Sequence, residues 1–398
     1  MAVTTIIQPA NVTFSANDIY FKLQSSYSGD DFPANYAIIV EIKMRPNPGV
    51  LDPYDEIMKL ELRPDADGYV DFNISSVIDK AIRSKFEIPP IPDESNFQDP
   101  YISPITYQYA LTYAERSGNP PELSEWSVLG DGEYFAVLGG IDRTKWHRTY
   151  LADITSGDIK CIFSRNITNR KVGRNQLHWI NWWNPTSGSV SAYCEFKIYD
   201  DSMTLVSTVT SGTASVPAYQ PVCFPGVFSI NLGTLVPRMV TMQIKGAGDL
   251  SPVIRFLIDN NEYDNNRDLI YLNSYNVPDG IRCIGDFTRE INTQRQKSNN
   301  LEGVNGVATS KREVQQVGVD WNHVYTYRTG YITKQELEAL DEMFVVNMVW
   351  EMYDGLWRSL DIIDDGKTFL DTGTMVDSLA FQATDAVKKK IIPQESRI

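Results

Sequence analysis

The residues of this chain with chemistry beyond packing are three histidines, four cysteines and one dense tryptophan cluster. His147, His178 and His323 lie far apart, and none sits in an HExxH pattern, where two imidazoles one helical turn apart grip a zinc ion. Cys161, Cys194, Cys223 and Cys283 form no CxxC pair, so they read as small buried hydrophobes rather than as metal-binding thiolates. There is no GxSxG elbow, no Walker loop and no GxGxxG; Gly246-Ala247-Gly248 lacks the third glycine. Asp364-Asp365 precedes Gly366, where carboxylates serve turn formation. Glycosidase carboxylates come from distant parts of a fold, so spacing cannot point to them. The stretch Asp259–Asp268 is rich in oxygen ligands, but it lacks the spacing and distal Glu of a calcium loop and reads as a linker. The expectation is a protein that is not an enzyme and holds no cofactor and no metal.

The tryptophan cluster is Trp179, Trp182 and Trp183. On a strand, side chains alternate, so Trp179 and Trp183 share one face and Trp182 points to the other. Two uses stay open. Exposed indoles stack on sugar rings, which would make the chain a carbohydrate-binding adhesin that contacts a host surface glycan. Buried indoles fill a core or an interface.

These residues sit in a chain of 398 residues, 42% hydrophobic and 22% charged, long enough for two to four domains. The net charge is −15, and it is uneven: residues 1–139 hold 21 acidic and 9 basic side chains, and the remainder 30 and 27. An acidic front third argues against nucleic-acid binding, which needs clustered Lys and Arg. Its plain reading is a solvated surface; a sharper one is a face that meets a basic partner. No run of 18 apolar residues is present, so no membrane insertion is expected. The start, Met1–Gln8, has neither a basic region nor a long apolar core, which predicts synthesis and folding in a cytoplasm.

Periodicity predicts a mainly β protein: serial immunoglobulin- or fibronectin-like β-sandwiches with one short helix near 334–344. Residues 1–139 read as a sandwich with a Pro-rich insertion. Strands are expected at 36–44, 57–62 and 105–113. Asp67-Gly68 is expected to turn 57–62 back onto 69–74, and Ser75 or Ser76 to cap a short helix over 77–83. Five prolines make 88–104 a surface loop. Residues 140–262 read as a second sandwich, with strands at 160–163, 175–183, 189–199, 204–210, 227–232, 240–244 and 252–257. Residues 263–398 read as a β-rich C-terminal domain. It has strands at 269–273 and 281–285 about a Pro278-Asp279-Gly280 turn, and an exposed arm or long hairpin over 290–312. A helix capped by Thr333–Glu336 presents Leu337, Leu340, Met343 and Phe344. Strands at 345–353, 356–363 and 379–384 follow, and a loose basic tail ends the chain.

A family becomes visible in this last segment. Leu269-Ile270-Tyr271-Leu272-Asn273-Ser274-Tyr275, followed by Asp279 and Arg282, resembles a "YLNS" stretch of tail-associated proteins of Bacteroidota phages and prophages, crAss-like phages among them. Asn276 and Val277 stand where two glycines are usual there. The run Thr329-Gly330-Tyr331-Ile332-Thr333-Lys334-Gln335-Glu336, with Leu337 and Leu340, is similar to a second element of those proteins. Phe14–Leu23 and Tyr69–Ser75 look like their first domain. The resemblance implies a virion structural protein of the phage tail, in a hub or baseplate. Its partners would be other tail proteins and copies of itself in a ring. It implies no catalytic residue.

Overall fold

The computed structural model describes residues 3–46, 53–85, 100–140, 170–173, 176–227, 237–261, 263–299, 314–332, 334–346, 348–353, 356–363, 377–386 and 389–391. The chain is mainly β, built as serial β-sandwiches, with two α-helices among the described residues. It divides into two compact units. One is Met1–Asn260 with Asn273–Asp279; the other is Asn261–Leu272 with Gly280–Ile398.

The first unit begins with β1 (Thr4–Ile7), β2 (Val12–Phe14), β3 (Tyr20–Gln24), β4 (Ala37–Pro46), β5 (Asp55–Leu62) and β6 (Tyr69–Asn73). Helix α1 (Ser75–Lys85), β7 (Tyr101–Ile102), β8 (Thr106–Ser117), β9 (Glu122–Leu123) and β10 (Ser127–Val137) follow. One sheet runs β1-β3-β6 and a second β2-β10-β8-β4-β5. Phe21 of β3 stacks on Phe72 of β6 at 5.5 Å and meets Tyr134 of β10 edge-on at 5.7 Å, so the two sheets share an aromatic core. The alternating Tyr107, Tyr109, Leu111 and Tyr113 of β8 are all buried, as their spacing predicts.

The expected 57–62/69–74 hairpin does not form. β5 pairs with β4, and β6 pairs with β3 in the other sheet. The turn chemistry is present all the same: Gly68 donates to the Asp65 carbonyl, and the Asp65 carboxylate accepts from Asp67 and Tyr69. Gly68 has φ +84°, and a Cβ there would lie 2.4 Å from the Tyr27 carbonyl oxygen. The turn thus passes the chain between layers, and Val70 and Phe72 are buried in the strand that pairs with β3. At the start of α1 the side-chain acceptor is Asn73, whose Oδ1 accepts from the Ser75 amide at 2.9 Å, rather than a serine. Ile78 and Ile82 form the helix's buried stripe. Most of the proline loop lies outside the described residues. At its end Tyr101 and Ile102 form a strand, since both have amides to donate and pair with β16, described next.

The unit continues with β11 (Arg170–Gly173), β12 (Leu177–Trp183), β13 (Val190–Tyr199), β14 (Leu205–Thr210), β15 (Ala214–Val216), β16 (Pro221–Val227), β17 (Met239–Lys245) and β18 (Ile254–Asp259). A sheet β11-β18-β17-β13-β14 is joined by a three-stranded sheet β12-β16-β7. The His178 ring of β12 lies 5.7 Å from Phe256 of β18, which places the two sheets face to face. β16 escapes sequence patterning because it carries Pro221 and Pro225. Pro221 opens the strand, and Pro225 lies past the end of β7, where a missing amide costs no ladder bond on that side. The strand expected at 160–163, and 227–232 beyond Val227, lie outside the described residues.

The second unit contains β19 (Arg267–Leu272), β20 (Pro278–Cys283) from Gly280 onward, β21 (Thr288–Asn299), β22 (Val314–Ile332), α2 (Lys334–Val346), β23 (Val349–Tyr353), β24 (Leu356–Ile363), β25 (Asp377–Asp385) and β26 (Lys389–Ile391). They form one sheet, β20-β19-β23-β24-β25-β22-β21, with β26 on β22. α2 buries Leu340 and Met343, flanked by Leu337 and Phe344, on the face its spacing predicts. Phe344 meets Phe381 of β25 edge-on at 5.6 Å. The capping residue expected for α2, Thr333, lies outside the described residues, as do the turns expected at 354–355 and 364–366. The helix runs through Val346, two residues into an expected strand that begins only at Val349.

Two other expectations for this unit need correction. The turn between β19 and β20 is at Asn273–Asn276, and Pro278-Asp279-Gly280 is strand. Asn273 Oδ1 accepts from Tyr275 and Val277, and Asn276 takes φ +53°, a conformation asparagine tolerates. The basic tail is not loose throughout: Lys389–Ile391 pairs with Val319–Trp321. That segment of β22 extends past the stretch paired with β25 and so offers an edge. The arm is a long hairpin, as expected, with β21 antiparallel to β22 from Thr288↔Thr326 to Asn299↔Val314.

Candidate functional site

The tryptophan cluster is interior. Trp179, Trp182 and Trp183 are 4%, 3% and 1% exposed. Trp183 donates its Nε1–H to the Tyr219 carbonyl at 2.7 Å. Stacking on a sugar needs an open ring face, and these rings present none; each side of β12 meets a packed layer. The packing use is the one realised, and it lies inside the first unit.

The residues that carry the family resemblance sit at structural joints. Asn273 builds the β19–β20 turn. Asp279 forms a buried ion pair with Arg170, and the Pro278 carbonyl accepts from Asn181 Nδ2 at 2.8 Å. Arg282 grips Asp268 with Nε and Nη2, both at 2.6 Å, a bidentate geometry that fixes both groups. Gly330 has φ +70°, and a Cβ there would come within 2.5 Å of Ile284.

The largest polar constellation among the described residues lies along the second unit's sheet. Glu351 of β23 is fully buried and accepts from Tyr327 at 2.7 Å and from Arg358 of β24. Arg358 also donates to the Tyr325 hydroxyl at 2.7 Å and lies over that ring at 4.1 Å. The Tyr325 hydroxyl lies 3.3 Å from Asp385, and His323 Nδ1 lies 3.5 Å from the same carboxylate. Arg289 of β21 contacts His323 Nε2 at 2.5 Å. Burial, joined by the neighbouring Asp385, pushes the Tyr325 phenol up to about 12 against the pull of Arg358. Burial and then the Glu351 carboxylate raise Tyr327 as well. For Arg358, burial pulls the guanidinium down, but the bond to Glu351 outweighs it and the group is held above its usual value. These shifts keep phenols neutral and guanidinium charged, which suits a fixed hydrogen-bond network and not proton transfer near neutrality.

Sequence reading missed this network, although one signal was present. A tight hairpin at Asp354-Gly355 places 351 opposite 358, and the pair observed is Glu351↔Arg358. The remaining groups do not converge. His178 and His323 belong to different units, and His147 and Cys161 lie outside the described residues. Cys194, Cys223 and Cys283 are buried, which pushes their thiols up and away from the reactive thiolate. No group of three or more His, Cys, Asp or Glu among the described residues is placed to hold a metal. The linker Asp259–Asp268 supplies ion-pair partners instead: Asp259 to Lys171, Arg267 to Glu351 and Asp268 to Arg282.

A shallow groove of about 260 Å³ lies on the outer face of β13, β17 and β18, bordered by Lys197, Tyr199, Met203, Val253 and Arg255. Its Glu195 carboxylate is engaged by Lys197 at 3.2 Å and Lys245 at 3.8 Å. No protein-family model matches the chain, and a search of curated proteins finds no significant match.

Proposed function

We propose that the chain is a non-enzymatic virion structural protein of a phage tail, a hub or baseplate component. It assembles with copies of itself and with other tail proteins after synthesis in the host bacterial cytoplasm. The observation that carries this reading is the engagement of the resemblance residues in architecture. Asn273, Arg282, Gly330 and Leu340 build a turn, an ion pair, a close backbone passage and a helix seat. Such residues suit a rigid building block. The long β21–β22 hairpin fits the same role, since an extended ribbon has the length to reach a neighbouring subunit.

Mass spectrometry and immunogold microscopy of purified virions test the proposal. The expected outcome is a stoichiometric tail component that yields peptides of this chain and decorates one fixed position as a ring. Absence of the chain from virions would overturn it.

A further inference from the structure

Sheet edges are templates for pairing, and folded proteins guard them with charge, proline or shortness. Most edges here are guarded. β5 carries Asp55, Glu56, Lys59 and Glu61; β6 carries Asp71; β20 carries Pro278, Asp279 and Arg282; β21 carries Arg289 and Glu290. β1 and β11 are four residues each, and β2 is three. β12 is longer but buried on both faces.

β14 is different. Its sequence, Leu205-Val206-Ser207-Thr208-Val209-Thr210, has no charge and no proline, and none of its residues is buried. It pairs with β13 on one side, and among the described residues no strand pairs with its other side. Met203 and Leu205, about half exposed at its start, extend the apolar surface. Met203 sits at φ +59° in a turn held by the Asp200 carboxylate, a position a methionine rarely occupies.

We infer that β14 pairs antiparallel with β14 of a second copy of this chain, which joins the two sheets into one. The inference rests on the self-assembly part of the function proposed above. The strand is complementary to itself. A two-fold axis through Thr208 sets Ser207 opposite Val209 and Val206 opposite Thr210, with no like charges opposed. The direction follows from the flanks. Parallel pairing would bring Asp200 and Asp201 of both copies together. Antiparallel pairing puts the Asp200-Asp201 turns of the two copies at opposite ends of the joint, where Leu205 and Thr204 meet the partner's Ser211 and Gly212, which are uncharged.

Sedimentation equilibrium on the full chain provides the test. The parent protein is expected to dimerise reversibly. Thr208→Lys, an exposed change on the free edge, should weaken the dimer about tenfold or more while leaving the circular dichroism spectrum unchanged. Thr208→Cys should form a covalent dimer on mild oxidation, and Leu123→Cys, also exposed but elsewhere, should not. A parent that stays monomeric overturns the inference, as does a Thr208→Lys variant that dimerises like the parent. Should Thr208→Lys fail to fold, the oxidation experiment decides. A monomer found in virions would sink this pairing and leave the tail reading standing; a dimer absent from virions would do the reverse.

Discussion

β12 and β22 are both dense in aromatic residues and treat them in opposite ways. In β12 six consecutive residues, His178 to Trp183, are buried, so both faces of the strand meet packed layers. In β22 burial alternates: His323, Tyr325 and Tyr327 face the core, and Val324, Thr326 and Arg328 do not. The polar atoms differ too. The Trp183 indole N–H ends on a backbone carbonyl, whereas the two tyrosines end on carboxylates and a guanidinium. Aromatic density alone therefore does not mark a binding platform. A platform strand must alternate and leave one face open, which β12 does not do. Buried rings that end in hydroxyls, as in β22, bring charged partners inside with them.

Three substitutions probe that contrast. Trp183→Ala should have the largest effect, about 3–5 kcal/mol lost, because the cavity sits between two layers that cannot close over it. Urea denaturation measures it; a loss under about 1 kcal/mol would show that β12 is not doubly packed. Glu351→Gln should follow, at about 2–3 kcal/mol, because it leaves the Arg358 charge inside without its nearest carboxylate. The same denaturation series reads it, and an unchanged midpoint would demote the network to a passive one.

Tyr325→Phe should have the smallest effect, about 1 kcal/mol at neutral pH, and it carries a signature of its own. The Tyr325 phenol is raised to about 12 in the folded chain. A raised group contributes stability in full below its unfolded value of about 10 and loses it as pH climbs through 12. Stability of the parent should thus fall more steeply than that of the variant over this window. Parallel curves would mean that Tyr325 titrates normally.

Where one face of a strand is buried, the sequence reads well. β13 follows its alternation and α2 its apolar stripe, because burial imposes the period directly, whereas β8 and β17 also bury consecutive residues on both faces. Pairing reads poorly: the 57–62 and 69–74 segments were legible as strands, but which layer each joins depends on distant partners such as Phe21. β16 was hidden by its prolines, tolerated only because β7 is so short. The Asn273–Asn276 turn was misplaced because Pro-Asp-Gly is the stronger local signal, while the Asn273 side chain supplies the actual turn bonds. Of the site, the tryptophans were legible as a cluster, with the choice between an open platform and an interior left to the fold. The Glu351 network required strand order, which only the fold supplies.

The Arg170–Asp279 ion pair carries a consequence for synthesis. The two residues are 109 positions apart, and the first unit takes in Asn273–Asp279 only after β19 has been made. On the ribosome the first 260 residues emerge before that carboxylate, so this ion pair can close only later. The first unit is therefore finished late, after translation has moved into the second. A chain released early, anywhere before Asp279, would carry a nearly whole first unit that lacks its closing charge and would be open to quality control.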